Sequence, residues 1–420
     1  MNRRMCLLDA LLVTVLVFVA PAAAAPAVPA PTWTKHVPVE RLVEWRRYLH
    51  QHPELSRHEQ KTAGYVAGAL QDLGGIEVKR PTPSSVLGVL RGAKPGRTVA
   101  FRADLDALPV PEETGLPFAS VVPGVSHACG HDLHSAMLLG TAATLTRMRA
   151  SLAGTVVFVF QHAEEVTPGG AQELVASGAL AGVEAFFGMH VFTGPPAGHV
   201  GIMPAGAAST AADNFTLVIH GRGSHGAMPH LGVDPVVAGA AVVNALQTVV
   251  SRNVAPGEMA VVTVGKFQAG TAPNIIPDRA ELAGTVRTVT DSTRRLAEQQ
   301  VRAVVDGVVK AHGATYTLDY EPGPPAVVND PALVDVARTG AIKALGAGHV
   351  YEAPRMSASE DFARYRELAP ICLLSLGVGP GPANHSPFFD PDEAAMANGV
   401  KAQVQILLDY LAGGPRPGKR

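Results

Sequence analysis

Cysteine is scarce in this chain: there are three in 420 residues, Cys6, Cys129 and Cys372. No Cys-x-x-Cys pair exists, so thiol redox chemistry at Cys129 has no resolving partner, and the one disulfide open in an oxidising compartment is Cys129 with Cys372. An excess of either charge is also missing, with 34 Lys and Arg against 36 Asp and Glu. That balance gives no electrostatic reason to expect nucleic acid or an anionic surface as a partner. No internal repeat is visible, which removes solenoids and propellers. The apolar run at residues 10–20 is too short to span a bilayer comfortably. What remains is a globular composition, 47% apolar and 17% charged, in a chain long enough for two domains.

Residues 1–27 have the three parts of a secretory signal: Arg3 and Arg4, the apolar run, then a small-residue stretch with cleavage near Ala25 or Ala27. The expectation is an exported protein, periplasmic or secreted, with no membrane span after processing. Residues 28–38, rich in Pro and Ala, read as a linker. Cys6 would leave with the signal. Cys372, in an apolar run, reads as an inert buried thiol.

Beyond residue 39 two patterns follow one another. Residues 42–70 have helical spacing broken at His52-Pro53. Short apolar runs at 97–102, 155–161, 185–191 and 371–378 alternate with helical stretches. This predicts an α/β domain with a mostly parallel sheet and helices on both faces. Between about 205 and 320 the order becomes β-α-β-β-α-β, which predicts an inserted ferredoxin-like domain. The first domain then occupies 39–204 and 321–412, with a tail at 413–420.

The segment His127-Ala128-Cys129-Gly130-His131-Asp132-Leu133-His134 precedes a helix. A thiolate and an imidazole two residues apart can turn toward one ion, with Gly130 letting the backbone bend. The helix N-terminus is expected to lower the thiol pKa. His127 and His134 would then support the ligands. A polar capping loop with incidental histidines is the plainer alternative. Glu164 and Glu165 follow the most apolar strand, where ligands of open α/β sheets gather. One carboxylate could hold metal while the other takes a proton from water. Taken alone, the pair reads equally as a solvated loop. His190 and His385 are each ambiguous, yet both follow predicted strands of the same sheet, as do Asp104 and Asp106. His225, ringed by glycines in the inserted domain, is either ligand-facing or a solvent-exposed turn residue, and spacing does not decide.

These segments, with Phe101-Arg102-Ala103-Asp104-Leu105-Asp106-Ala107-Leu108-Pro109, Gly223-Ser224-His225-Gly226, Asn274-Ile275-Ile276-Pro277 and Ser359-Glu360-Asp361-Phe362, resemble the metallopeptidase family of aminoacylases and carboxypeptidase G. The nearer likeness is to its amidohydrolase subfamily, which includes hippurate hydrolase and auxin–amino-acid conjugate hydrolases. The resemblance implies a zinc-peptidase-like catalytic domain and an inserted lid and dimerisation domain. It implies two divalent ions, zinc or manganese with nickel or cobalt as options, held by Cys129, His131, Glu165, His190 and His385. Cys129 would bridge them. Glu164 would be the general base of a metal-bound hydroxide that cleaves the amide of an N-acyl or N-aroyl amino acid. His225 would stabilise the oxyanion, across a homodimer, and Asn274 would touch substrate. Where the wider family carries His-x-Asp, this chain has Asp104, which leaves Asp104 and Asp106 as supports for the ligands. The alternatives are a carboxypeptidase or dipeptidase, or a metal-binding protein without catalysis.

Overall fold

The computed structural model describes residues 31–413. The segment read as an export signal lies outside the described residues, as do residues 414–420.

The larger layer is a ten-stranded sheet whose middle is parallel. In spatial order the parallel strands are Ala153–Gln161, Lys94–Asp104, Ala185–Phe192, Ile371–Gly377 and Val328–Asn329. Antiparallel strands finish both edges: Val86–Arg91 and Glu77–Lys79 on one, Gly206–Ala207 on the other. A side branch of Val200–Ile202 and Val350–Glu352 joins Ile371–Gly377. The unbroken apolar run in Ala153–Gln161 is explained by its surroundings. Val156, Phe158 and Phe160 enter one core, and Val157 and Val159 enter the other. A strand covered on both faces needs no polar alternation.

The two covers differ in thickness. Helices Val39–Gln51, Gln60–Leu73, His131–Arg147, Pro331–Leu345 and Ala395–Leu411 share one core. The other face carries the short helix Gly170–Ala176 and the 3-10 turn Asp361–Glu367. The break at His52-Pro53 does separate two helices. Residues 28–38 are not all free linker: Thr32–His36 form a 3-10 turn, because the Trp33 indole packs on the core and donates to Gln405 Oε1 at 3.2 Å.

Asp330 shows how the sequence ends a loop and begins a helix. Its Oδ1 accepts from the backbone N–H of Ala332 at 2.9 Å and of Leu333 at 3.2 Å, with Pro331 in the first turn. Asp330→Ala is expected to cost about 1 kcal/mol, the usual loss for an N-cap. A urea midpoint unchanged by the substitution would remove this role.

The smaller layer is a four-stranded antiparallel sheet ordered Ala260–Ala269, Arg279–Thr288, Ala211–His220, Thr315–Pro322. The strands first and third in chain order, Ala211–His220 and Arg279–Thr288, are central, the split βαβ arrangement. Burial alternates along Ala211–His220, and helices Pro235–Thr248 and Asp291–Ala311 cover the apolar face. This layer runs from Ala211 to Pro322; Gly206–Ala207 instead pairs with Val328–Asn329 in the larger sheet. Among the described residues no helix is long and apolar enough to cross a membrane.

Candidate metal centre

Helix His131–Arg147 carries the Cys-Gly-His loop into the protein. Residues 131–145 of it are all buried, so it is enclosed on every side. Gly130 precedes it with φ +86°, and a Cβ there would lie 2.4 Å from Val191 Cγ2. Only glycine meets both conditions. The turn places Cys129 Sγ 3.4 Å from His190 Nε2 and 3.3 Å from His385 Nε2.

Hydrogen bonds fix which nitrogen of each imidazole faces inward. His131 Nδ1 donates to the Asp106 carbonyl at 2.8 Å, and His190 Nδ1 to the Val191 carbonyl at 2.8 Å. Each therefore turns its Nε2 into the cluster, as metal-ligating histidines do. Nε2 of His131 is buried without a hydrogen-bond partner, as is Glu165 Oε1, 3.8 Å away. Two orphaned donors side by side in a dry site fit a cation. His134 is different. Its Nδ1 bonds Asp104 Oδ1 at 2.6 Å and its Nε2 accepts from Val191 N at 2.9 Å, so both nitrogens are occupied and it orients its neighbours. His127 is buried with neither nitrogen partnered, and burial pushes it down to about 4.

The donors fall into overlapping groups. Cys129, His131 and His190 form one, and Cys129, Glu165 and His385 another, each with ligand atoms within 4.8 Å of one another. Cys129 belongs to both. His131, Glu164 and Glu165 form a third group beside them. Burial pushes the Cys129 thiol up, against His131 and His385, which pull it down. Burial at this depth opposes the lowering expected from the helix N-terminus. Burial also opposes charge on His131, but Asp104 and Cys129 outweigh it and hold that ring well above the usual range. Cys129 and then Glu165 push His385 up to about 10. The site as a whole attracts positive charge.

Behind the donors runs a buried network. Arg102 donates to Asp104 Oδ2 at 2.7 Å, Asp361 Oδ1 at 2.9 Å and Gln161 Oε1 at 2.9 Å, and lies 3.1 Å from Glu360 Oε1. Tyr365 also donates to Gln161 Oε1 at 2.9 Å. Asp106 accepts from Ser56 Oγ at 2.7 Å and from Glu165 N at 3.0 Å, which sets the backbone carrying Glu165. Glu164 meets little of this compensation. Desolvation, then the charges of Glu360, Glu165 and Asp361, hold it well above the usual carboxylate range.

Two backbone positions at the site are left-handed without glycine: Ala163 at φ +51° and His385 at φ +70°. Such conformations cost about 1–3 kcal/mol each and persist where neighbours dictate them. Glu59 Oε1 accepts from Ala163 N at 2.7 Å, and the Ala128 carbonyl from His385 N at 2.7 Å. Glu59 is itself buried, and burial with the nearby Asp106 charge pushes it from 4.5 up to about 7. The folded chain keeps this proton to higher pH than the unfolded chain does. The group therefore weakens the fold as pH rises from about 4.5 to about 7, by at most about 1.4 kcal/mol per pH unit. Glu59→Gln keeps the acceptor and is expected to flatten that segment of a stability–pH curve. An unaltered curve would contradict the assignment.

Cys129, Glu164, Glu165, His190, His385 and Glu360 line one cleft of about 280 Å³. His131 sits beneath it. A polar lobe adjoins, also lined by Glu164, Glu165 and His385, with Asn214 and Arg287 from the smaller layer. His225 and Asn274 line neither. Both are exposed, on the small two-stranded sheet Ser224–His225 and Ile275–Ile276 and its loop. The sequence reading missed Phe192 and Met356 at the cleft and Arg287 at the polar lobe, and assigned no role to Arg102, Glu360 and Asp361. The last three stood in motifs; Phe192 and Met356 carried no local signal.

Residues 100–409 match the pattern of Peptidase family M20/M25/M40. The chain is 48% identical over 288 residues to an N-acyl-L-amino acid amidohydrolase of Geobacillus stearothermophilus, covering 69% of this chain and 78% of that protein. It is 39% identical over 372 residues to an N-acetylcysteine deacetylase of Bacillus subtilis, covering 88% and 97%. A crystal structure of a dinuclear metal-binding peptidase from Bacillus subtilis aligns with a TM-score of 0.78 at 35% identity, covering 89% of this chain and 98% of that one. On this family match and these likenesses, the chain belongs to peptidase family M20/M25/M40 and is a hydrolase.

Proposed function

We propose that the chain cleaves the amide bond of N-acyl or N-aroyl amino acids with two divalent ions. The observation that carries this is Cys129 shared between two donor groups, with Glu164 against both through His131 and Glu165. Cys129, His131, Glu165, His190 and His385 would hold the ions. A thiolate favours zinc, while imidazole and carboxylate also suit manganese, nickel and cobalt. When bound, the ions polarise the scissile carbonyl and make water acidic near neutral pH. Glu164 takes the proton of the attacking water and returns it to the leaving amine. Burial and the neighbouring carboxylates make Glu164 a stronger base than an exposed carboxylate, which suits both transfers. The similarity to an N-acyl-L-amino acid amidohydrolase and to an N-acetylcysteine deacetylase supports the acyl amino acid as substrate.

His225 lines neither cleft of its own chain, and in this reading it reaches the cleft of a second copy in a homodimer. The smaller layer exposes Val261 and Phe267 on its edge strand, Val236 and Val237 on a helix, and Leu231 and Ile275 nearby. An exposed apolar edge of this kind suits a second copy. Export before cleavage of the signal is part of the same proposal, and sequencing the mature N-terminus tests it.

The test is a release assay on metal-stripped protein restored with zinc or manganese, offered hippurate, N-acetyl amino acids and dipeptides. Metal-dependent release from the acylated amino acids is expected. Release from dipeptides alone would move the enzyme to peptide cleavage, and no turnover with metal bound would overturn the catalytic reading.

A further inference from the structure

A second cavity, of about 250 Å³, lies beside the cleft. Phe192 and Met356 line both. The Phe192 ring stacks on His190 with centroids 4.6 Å apart, so the cavity begins one side chain from a proposed ligand. Met203 and Ala353 continue its apolar wall, and Met203 is buried. Tyr351 Oη and Ser375 Oγ, 3.2 Å apart, add two hydroxyls to the lining. Gly201 makes room for them: a Cβ there would lie 2.1 Å from Ser375 Oγ and 2.8 Å from Tyr351 Oη. Arg355 is the charged lining residue, exposed and with its Nε held by the Ala207 carbonyl at 2.9 Å.

We propose that this cavity is the acyl subsite and that it takes an aromatic acyl group. The inference rests on the amidohydrolase reading above. Glu164 must reach the leaving amine, and Glu164 lines the cleft and the polar lobe but not this cavity. The amino-acid half therefore lies toward the polar lobe, and the acyl half points past Phe192. A volume below the roughly 300–1,000 Å³ of whole-ligand pockets suits one ring. Aromatic and thioether walls favour a flat ring over a flexible chain. The two hydroxyls favour a ring with a polar group opposite its carbonyl.

The test uses the metal-loaded enzyme and one amino acid carrying acetyl, benzoyl or 4-hydroxybenzoyl groups, and separately benzoyl on glycine, alanine and leucine. The wild type is expected to favour benzoyl over acetyl in kcat/KM by about tenfold or more. Ala353→Trp fills the cavity and is expected to lower that ratio about tenfold or more, without reordering the amino acids. Tyr351→Phe, which keeps the ring and removes only the hydroxyl, is expected to lower the 4-hydroxybenzoyl to benzoyl ratio about tenfold. If Ala353→Trp reorders the amino acids instead, the cavity holds their side chain and the proposal fails. Unchanged ratios in folded Ala353→Trp, or in Tyr351→Phe, also overturn it. Calorimetry with benzoate and 4-hydroxybenzoate separates this from the parent reading. A wild type that hydrolyses nothing in the panel sinks the amidohydrolase reading, while aryl binding lost in Ala353→Trp still upholds an aryl pocket.

Discussion

Glu164→Gln is expected to lower kcat by about 10²- to 10⁴-fold, the range for loss of a general base, and to leave bound metal unchanged. The substitution keeps the shape of the side chain and removes its ability to take a proton. Glu164 sits in a group with His131 and Glu165, and also in a group with Glu360 and Asp361. The second group explains its resistance to ionising: desolvation and three neighbouring carboxylates work against its charge. Arg102 bonds Asp104 and Asp361 and lies against Glu360, so its charge is shared among several carboxylates. A carboxylate so placed is a stronger base than an exposed one. The measurement is kcat for a metal-dependent amide substrate with metal counted in the same sample. Activity within a few fold of wild type would remove Glu164 from the proton transfers, and a loss of metal would make it a ligand.

Arg102→Met is expected to destabilise the larger domain by about 3–5 kcal/mol, because it leaves buried carboxylates without their cation. Arg102 and its partners Asp104, Glu360 and Asp361 are all nearly inaccessible to solvent. Gln161 would also lose a donor. Trp33 and Trp45 are the chain's two tryptophans, and both pack in the larger domain's core, so fluorescence in a urea titration reports on that domain. A midpoint unchanged from wild type would mean that the carboxylates are satisfied without Arg102.

The layers were legible in the sequence because their periodicities differ. Short apolar runs marked four of the parallel strands, and alternation marked residues 214–220 of the strand Ala211–His220. The boundary of the smaller layer was less legible. Gly206–Ala207 is too short to show a period, and its place is set by pairing with Val328–Asn329. Cys129, His131, Glu164 and Glu165 could be found because local spacing brings them together. His190 and His385 were ambiguous singly, since only the sheet's fold places them against Cys129. Glu59 was invisible for the same reason: it reaches Ala163 from over a hundred positions away, a separation of 104 residues. The burial that opposes ionisation of the Cys129 thiol was not legible, because sequence shows a helix start but not the depth around it.

The most direct measurement is the number of ions held per chain by wild type and by His190→Ala, counted by mass spectrometry of the native protein in zinc or manganese. Two donor groups that share Cys129 predict two ions in wild type and one in His190→Ala, since Cys129, Glu165 and His385 remain. One ion in wild type, or two retained in His190→Ala, would contradict the proposed pair of sites.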